Sequence, residues 1–446
     1  MNLKDHAFSF TNQIWRLTSA PLTLVLLPFF LNAEIQGYWY VFIGVAGLIS
    51  FADLGASSVA ANLAAHEAAW ISILEKSPPQ GSTIHLIRLG SLFSFTCKWI
   101  CTCGAIALPV IFSIGFYIFE SKSEHLTWLA PWTLICISSA LTLLNNFLLS
   151  FVEGCGNVSH GQKIRFISSS IGFSTLAILL LLELNLYALA LSSIIGSLLC
   201  IAMTLSRYKI FFMTLQKFSQ HEESAEKEAR KEKSTLLFKS TAISFLGGNI
   251  GFQTITPIIF YFKDPVLAGQ AGLSIAIFSA LHSISCVWLN AFIPKFCKLI
   301  AQGRIKEANV GFTKFSLSTL SSFIIGSSLF FLCLHLTPFN VDLIKKIIND
   351  WNLYFLCISW LLQTLTWIIA THLRAQIKEP FSKISVITGA YLALLNATLI
   401  NYVPFDIFFS ILLSSYAFSL PCFYIIHRRE SPIKITARNS LKAITH

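Results

Sequence analysis

LPFFLNAEIQGYWYVFIGVAGLISF, residues 27–51, decides the fold. Two apolar runs flank a short polar turn at Asn32 to Gly37, and Glu34 carries the only formal charge in the stretch. No soluble layer arrangement hides both runs with so little charge left to face water. Two helices meeting at a bilayer surface do, because each helix satisfies its own backbone inside the hydrocarbon. The pattern recurs at TPIIFYFKDPVLAGQAGLSIAIFSAL, residues 256–281, where Pro257 and Gly269 stand in for Pro28 and Gly37. The two halves of the chain therefore echo each other, as transporter repeats do.

Composition extends this reading to the whole chain. Of 446 residues 54% are hydrophobic and only 12% charged, and the mean hydropathy is +0.68. Soluble domains carry about 25% charged residues, so a soluble enzyme, a nucleic-acid-binding domain and a disordered chain are excluded. A membrane helix needs about 20 apolar residues. The sequence predicts twelve spans, at 13–32, 38–58, 98–119, 128–151, 164–182, 186–205, 240–262, 266–294, 315–337, 351–371, 384–400 and 404–426. The eighth is long enough to tilt or break. The fold class is all-α, a polytopic membrane protein.

Charge sets the orientation. The net charge is +11, and with the N-terminus inside, only Lys122, Lys263, Lys345 and Lys346 of the 32 Lys and Arg residues fall on the outer side. The positive-inside rule then places both termini in the cytoplasm. Trp128, Trp132 and Trp351 sit at span ends, where an aromatic belt is expected. The polar start, MNLKDHAFSFTN, precedes an apolar run without a cleavage pattern and reads as an uncleaved first span. The outer loops are too short for a domain.

Two cytoplasmic segments stand out. Residues 59–97 keep apolar residues at helical spacing but are too polar to span, which predicts an in-plane interfacial helix. Residues 206–239 contain QHEESAEKEARKEKS, with Glu223–Lys227 and Glu226–Arg230 pairs at i,i+4. The expected organisation is a six-helix lobe over 1–205, a charged linker over 206–239, a second six-helix lobe over 240–426 and a basic tail over 427–446.

Chemistry-bearing motifs are missing. There is no phosphate-binding G-x-x-x-x-G-K-[ST] loop, no H-E-x-x-H and no G-x-S-x-G elbow. The eleven cysteines show no C-x-x-C or zinc spacing, so no cofactor, metal or disulfide is expected. A membrane-embedded polymerase or glycosyltransferase needs carboxylates in a shielded pocket, and the outer acids lie on loops too short to fold one. The chain is expected not to be an enzyme.

Polar residues inside the spans are the candidate site. Arg16, one turn into the first span, reads equally as a topology anchor or as a lumen cation for an anionic head group. Asp53 either caps the helix after it, pairs with Arg16, or carries an ion. Glu153 either clips spans 4 and 5 together through Arg165 or takes part in ion coupling. Asn249, Gln253 and His282 are mid-span groups that serve as interhelical hydrogen bonds or as substrate ligands.

EIQGYWYVFIGVAGLISFADLGASSVAANLAAHE (34–67) and FVEGCGNVSHGQKIRF (151–166) resemble the Wzx-type polysaccharide (O-antigen) flippases of the multidrug/oligosaccharidyl-lipid/polysaccharide (MOP) exporter superfamily. The resemblance is strongest over 8–70 and 145–170 and extends to length and the six-plus-six layout. It implies two six-helix lobes around a central cavity in the bacterial inner membrane. It also implies transfer of an undecaprenyl-diphosphate-linked oligosaccharide to the periplasmic leaflet by alternating access, driven by an ion gradient. Arg16 maps onto a first-helix cation, and Asp53 and Glu153 onto family-position acids. The implied partners are the lipid-linked oligosaccharide, membrane lipid, and the polymerase and glycosyltransferases of the pathway, with no nucleic acid. The second lobe has no clear mid-span Arg or Lys, which suits a neutral glycan. The alternative is a drug/cation antiporter of the same superfamily.

Overall fold

A computed structural model of the chain describes residues 3–53, 55–68, 70–72, 78–122, 127–219, 251–302, 304–336, 346–374 and 381–430. Among these, eight helices are long and apolar enough to cross a membrane, and the architecture is all-α. The chain divides into two compact units, Met1–Gly269 and Gln270–His446.

The first unit opens with α1 (Leu3–Phe30), which keeps Pro21 and Pro28 inside the helix. Asn32 then caps α2 (Ala33–Gly47): its Oδ1 accepts the Ile35 N–H at 2.8 Å, and Glu34 sits in the first turn where the helix dipole favours an anion. The predicted single span over 38–58 is in fact broken. Helix α2 stops at Gly47, a single turn α3 (Ser50–Asp53) follows, and α4 (Ala56–Ala68) begins beyond Gly55, whose φ is +72°. Ala56, Ala60 and Ala64 recur every four residues with no exposed surface. That smooth stripe is suited to close helix packing.

The interfacial helix predicted over 59–97 is likewise corrected. Only α4 covers its start. A two-residue antiparallel pair, β1 (Ile71–Ser72) with β2 (Gln80–Gly81), follows, and α5 already begins at Thr83 and runs to Glu120. Leu86, Leu89 and Leu92 explain the continuity, since their spacing of three keeps one apolar face buried from the first turn. The unit continues through α6 (Leu129–Gly154), α7 (Val158–Leu181) and α8 (Leu186–Phe218), with a turn at Glu183 and Asn185, both at positive φ, between the last two. Helix α8 thus extends into the segment expected to be linker; the acidic and basic run from 220 onward lies outside the described residues. Helix α9 (Ile255–Phe262) packs against α2 and α5 in this same unit.

Trp128 and Trp132 do not form a lipid-facing belt. Trp132 is fully buried and Trp128 nearly so, within a cluster of Tyr38, Phe42, Phe119 and Phe260 whose ring centroids lie 4.7–5.8 Å apart. The Trp132 indole N–H donates to the Phe112 carbonyl at 3.3 Å, so the ring can be buried without leaving its donor unmet. A Cβ on Gly115 would sit 2.2 Å from that ring. Trp351, by contrast, is 65% exposed.

The second unit begins within α10 (Pro265–Ser285), at Gln270, and contains α11 (Val287–Ala301), α12 (Ile305–Leu336), α13 (Asp350–Arg374), α14 (Ser382–Leu399) and α15 (Ser410–Glu430). The long eighth span is interrupted for one residue at Cys286, between α10 and α11, although the Cys286 N–H still donates to the His282 carbonyl at 2.9 Å. Stacked Phe292 and Phe315, 4.6 Å apart, join α11 to α12. Asn352, fully buried, holds the 3-10 turn Phe405–Ile407 by donating to the Phe405 carbonyl and accepting the Phe409 N–H at 3.0 Å.

Candidate functional site

Within the first unit, α1, α6, α7 and α8 line an open cavity of about 610 Å³. Its walls mix small polar side chains with apolar ones, Leu149, Leu176 and Leu189 among them. Helix α1 contributes Asn12, Ser19 and Thr23; α6 contributes Thr142, Asn145 and Asn146; α7 and α8 contribute Ser168, Ser169, Ser192, Ser193 and Ser197. Small residues let α7 and α8 approach closely: a Cβ on Gly172 would lie 3.7 Å from the Gly196 Cα. Phe173 adds one aromatic face.

Four of the hydroxyls are already committed as donors. Thr23 donates to the Ser19 carbonyl, Ser168 to Arg165, Ser169 to Phe166 and Ser192 to Leu189, at 2.9–3.2 Å. Each therefore offers its oxygen lone pairs as acceptors. Asn145 crosses to α8 by donating to the Ser197 carbonyl at 3.1 Å. A polyhydroxyl ligand, which brings its own donors, matches such a wall.

A second, smaller cavity of about 350 Å³ lies where α3, α4 and α6 meet, lined by Asp53, Ser57, Ser58, Asn62, Ser150 and Glu153 together with Asn146. Asn146 lines both cavities. Asp53 accepts from the Ser57 backbone N–H at 3.2 Å and from its hydroxyl, which caps the start of α4. Glu153 is the hub between the cavities. Its Oε1 accepts from Arg165 Nε at 3.0 Å and from Gln162 Nε2 at 3.1 Å, and the Gln162 Oε1 in turn accepts from Asn12 Nδ2 at 2.7 Å. This chain ties α1 to the α6–α7 corner. The glycines of FVEGCGNVSHGQKIRF serve that corner: Gly156 takes φ +95° in the turn, and a Cβ on Gly161 would meet the Glu153 side chain at 2.6 Å.

The sequence-predicted residues are distributed as follows. Asp53 and Glu153 line one cavity. Arg16 lies on α1, four residues after Asn12 and three before Ser19, and its side chain lies outside the described residues. Gln253 belongs to the first unit, where its side-chain amide lies 3.4 Å from the Cβ position of Gly47. His282 belongs to the second, with Nδ1 2.8 Å from the Thr364 hydroxyl and its ring between Trp360 and Trp367. Asn249 lies outside the described residues. Asn12, Gln162 and the serines of α7 and α8 were not singled out from sequence. The signal was the spacing of Ser192, Ser193, Gly196, Ser197 and Cys200 along one helix face.

No protein-family profile and no curated protein matches the sequence. The fold does have counterparts among solved structures. An inward-facing MATE-family multidrug resistance transporter of the MOP superfamily matches with a TM-score of 0.65 and 12% identity, covering 97% of this chain and 99% of that one. The lipid II flippase MurJ, in an inward closed conformation, matches at 0.61 and 14% identity over 100% and 91% of the two chains. A point mutant of the Vibrio cholerae MATE transporter VcmN matches at 0.54 and 12% identity over 96% and 98%. At these identities the likeness is one of fold alone: the chain shares the fold of these solved structures.

Proposed function

We propose that the chain is a flippase of the bacterial inner membrane, carrying an undecaprenyl-diphosphate-linked oligosaccharide from the cytoplasmic to the periplasmic leaflet. The observation that carries this reading is the cavity lined with hydroxyl acceptors, whose one cation among the described side chains, Arg165, is already paired with Glu153. Hydroxyls and amides beside leucine side chains and one aromatic face suit sugar rings, which have polar edges and apolar C–H faces. The fold shared with a lipid II flippase supports the same reading, as does the sequence resemblance to polysaccharide flippases.

The physical need is plain. A sugar head group entering about 30 Å of hydrocarbon loses several kcal/mol for every polar group left unpaired. Arg16, one helical turn from Asn12, is the residue for the diphosphate. Gln253, His282 and Asn249 remain candidate ligands, and Asp53 and Glu153 are the candidates for coupling to an ion gradient. The polymerase and glycosyltransferases of the pathway are the proposed partners, and no catalytic role is assigned to this chain.

The test is the surface glycan of a deletion strain complemented with the wild-type gene or with Arg16→Ala. Loss of the glycan with accumulation of its lipid-linked unit inside, rescued by the wild-type gene alone, is expected, with the variant present in the membrane at normal amount. An unchanged glycan profile refutes the flippase. The second reading, a drug/cation antiporter, rests on two carboxylates lining one cavity and predicts raised drug susceptibility in the same deletion strain.

A further inference from the structure

The smaller cavity of the first unit, about 350 Å³, holds side chains that nothing else in the protein uses. Helices α4 and α6 touch beside it, where a Cβ on Gly154 would lie 2.4 Å from the Ala61 carbonyl. Next to that contact each helix presents one serine and one asparagine four residues apart: Ser58 and Asn62 on α4, Asn146 and Ser150 on α6. None of these four side chains makes a hydrogen bond to another of the described residues. The carboxylates of the same cavity differ, since Asp53 holds Ser57 while Glu153 holds Arg165 and Gln162.

Depth makes the unused groups informative. Helix α6 rises about 39 Å over its 26 residues, against about 30 Å of hydrocarbon. Asn146 lies about 12 Å from the Gly154 end and about 26 Å from the Leu129 end, so it stands within the hydrocarbon layer wherever the crossing helix is set. Its side chain is nevertheless exposed. An amide turned toward acyl chains would lose several kcal/mol for want of partners, so this face of α6 meets water or a polar ligand. Amides both donate and accept, as hydroxyls do. Two neighbouring sugar hydroxyls match an amide, one donating to its carbonyl and the other accepting its N–H. The volume is at the low end for ligand pockets, which run from about 300 to 1,000 Å³, and suits a single ring.

We propose that this cleft is a second saccharide subsite, joined to the larger cavity across Asn146, which lines both. The head group is then held over at least two sugar units. One ring lies beside the hydroxyl acceptors of the larger cavity, and the next lies against the free amides and hydroxyls of α4 and α6. Asn62 and Asn146 are the specificity-determining residues for that second ring. The choice of a sugar as ligand rests on the flippase reading, to which the cleft adds a minimum length of glycan.

Saturation-transfer NMR of the purified full-length protein in amphipol, which carries no sugar, tests it. The probes are two pairs: methyl β-glucoside with methyl β-cellobioside, and their 2-acetamido counterparts. In at least one pair the wild type should hold the disaccharide about tenfold more tightly than the monosaccharide. Ser58→Ala with Asn62→Ala, on the α4 wall alone, should remove that advantage and leave the monosaccharide affinity unchanged. Asn146→Ala should weaken both probes. The unfolding midpoints of these variants should match the wild type, and a lowered midpoint would make the residues structural and overturn the proposal. Equal affinity for both members of each pair in the wild type, or an advantage that survives in the α4 variant, leaves the cleft to solvent or an ion and overturns it too. Those results would not touch the flippase, which falls instead on an unchanged surface glycan in the deletion strain.

Discussion

Two regions of the first unit, built on the same helices, solve opposite problems. Where α5 ends and α6 begins, Trp132, Phe119, Phe42 and Tyr38 fill space with interlocked rings and bury their few polar atoms against carbonyls. At the other end of α6, Asn145, Asn146, Ser150 and Glu153 leave room, and two cavities open beside them. The first region is closed by packing and the second is held open by hydrogen bonds and one ion pair. Rigidity at one end of a helix is what allows an aqueous site at the other end, since a cavity contributes no packing of its own.

The comparison breaks most visibly through the aromatic end. Trp132→Ala removes the central ring and should cost about 3–5 kcal/mol, seen as a lowered unfolding midpoint in detergent. Gly115→Leu should be as damaging, because its side chain would occupy the Trp132 ring position. If either variant unfolds like the wild type, the cluster is not what holds this end.

At the polar end the effects are smaller and of a different kind. Glu153→Ala strands Arg165, at 27% exposure, beside the larger cavity. The expected loss is about 1–3 kcal/mol, reduced from a fully buried pair by partial solvation. Substituting both partners, with Arg165→Met added, should recover most of it, and a double-mutant cycle reads the coupling. Smallest is the Asp53 cap. Asp53→Ala should cost about 1 kcal/mol, and Asp53→Asn a few tenths at most. Loss of transport in Asp53→Asn at wild-type stability would assign its charge to ion coupling, and full transport would leave it a cap.

The class of fold was legible because it rests on the amount of apolar sequence, which no local competition can mask. Element ends were less so. Residues 83–97 hold His85, Arg88 and several serines and threonines, and such polar residues point to an interfacial helix. The leucine spacing instead carries one helix unbroken from Thr83. Tryptophan favours interfaces, which points to a belt at Trp128 and Trp132. Contact with Phe42 and Phe119 decides their burial, and such long-range partners are invisible in a local window. Asp53 and Glu153 stand out as charges in apolar text. The serines of the larger cavity do not, since serine packs equally well between two helices or along a void.

Helix α1 carries a mechanical consequence. Pro21 and Pro28 lack N–H groups, so the carbonyls of Leu17 and Leu24 receive no helix bond. Pro21 falls between Ser19 and Thr23, both on the cavity wall. The helix is a beam notched twice, with one notch on the face turned away from the cavity. Deflection there breaks no further rung of the backbone ladder, so among the walls of the larger cavity α1 is the compliant one. Asn12, tied to Gln162 by a single hydrogen bond, is the latch at its end.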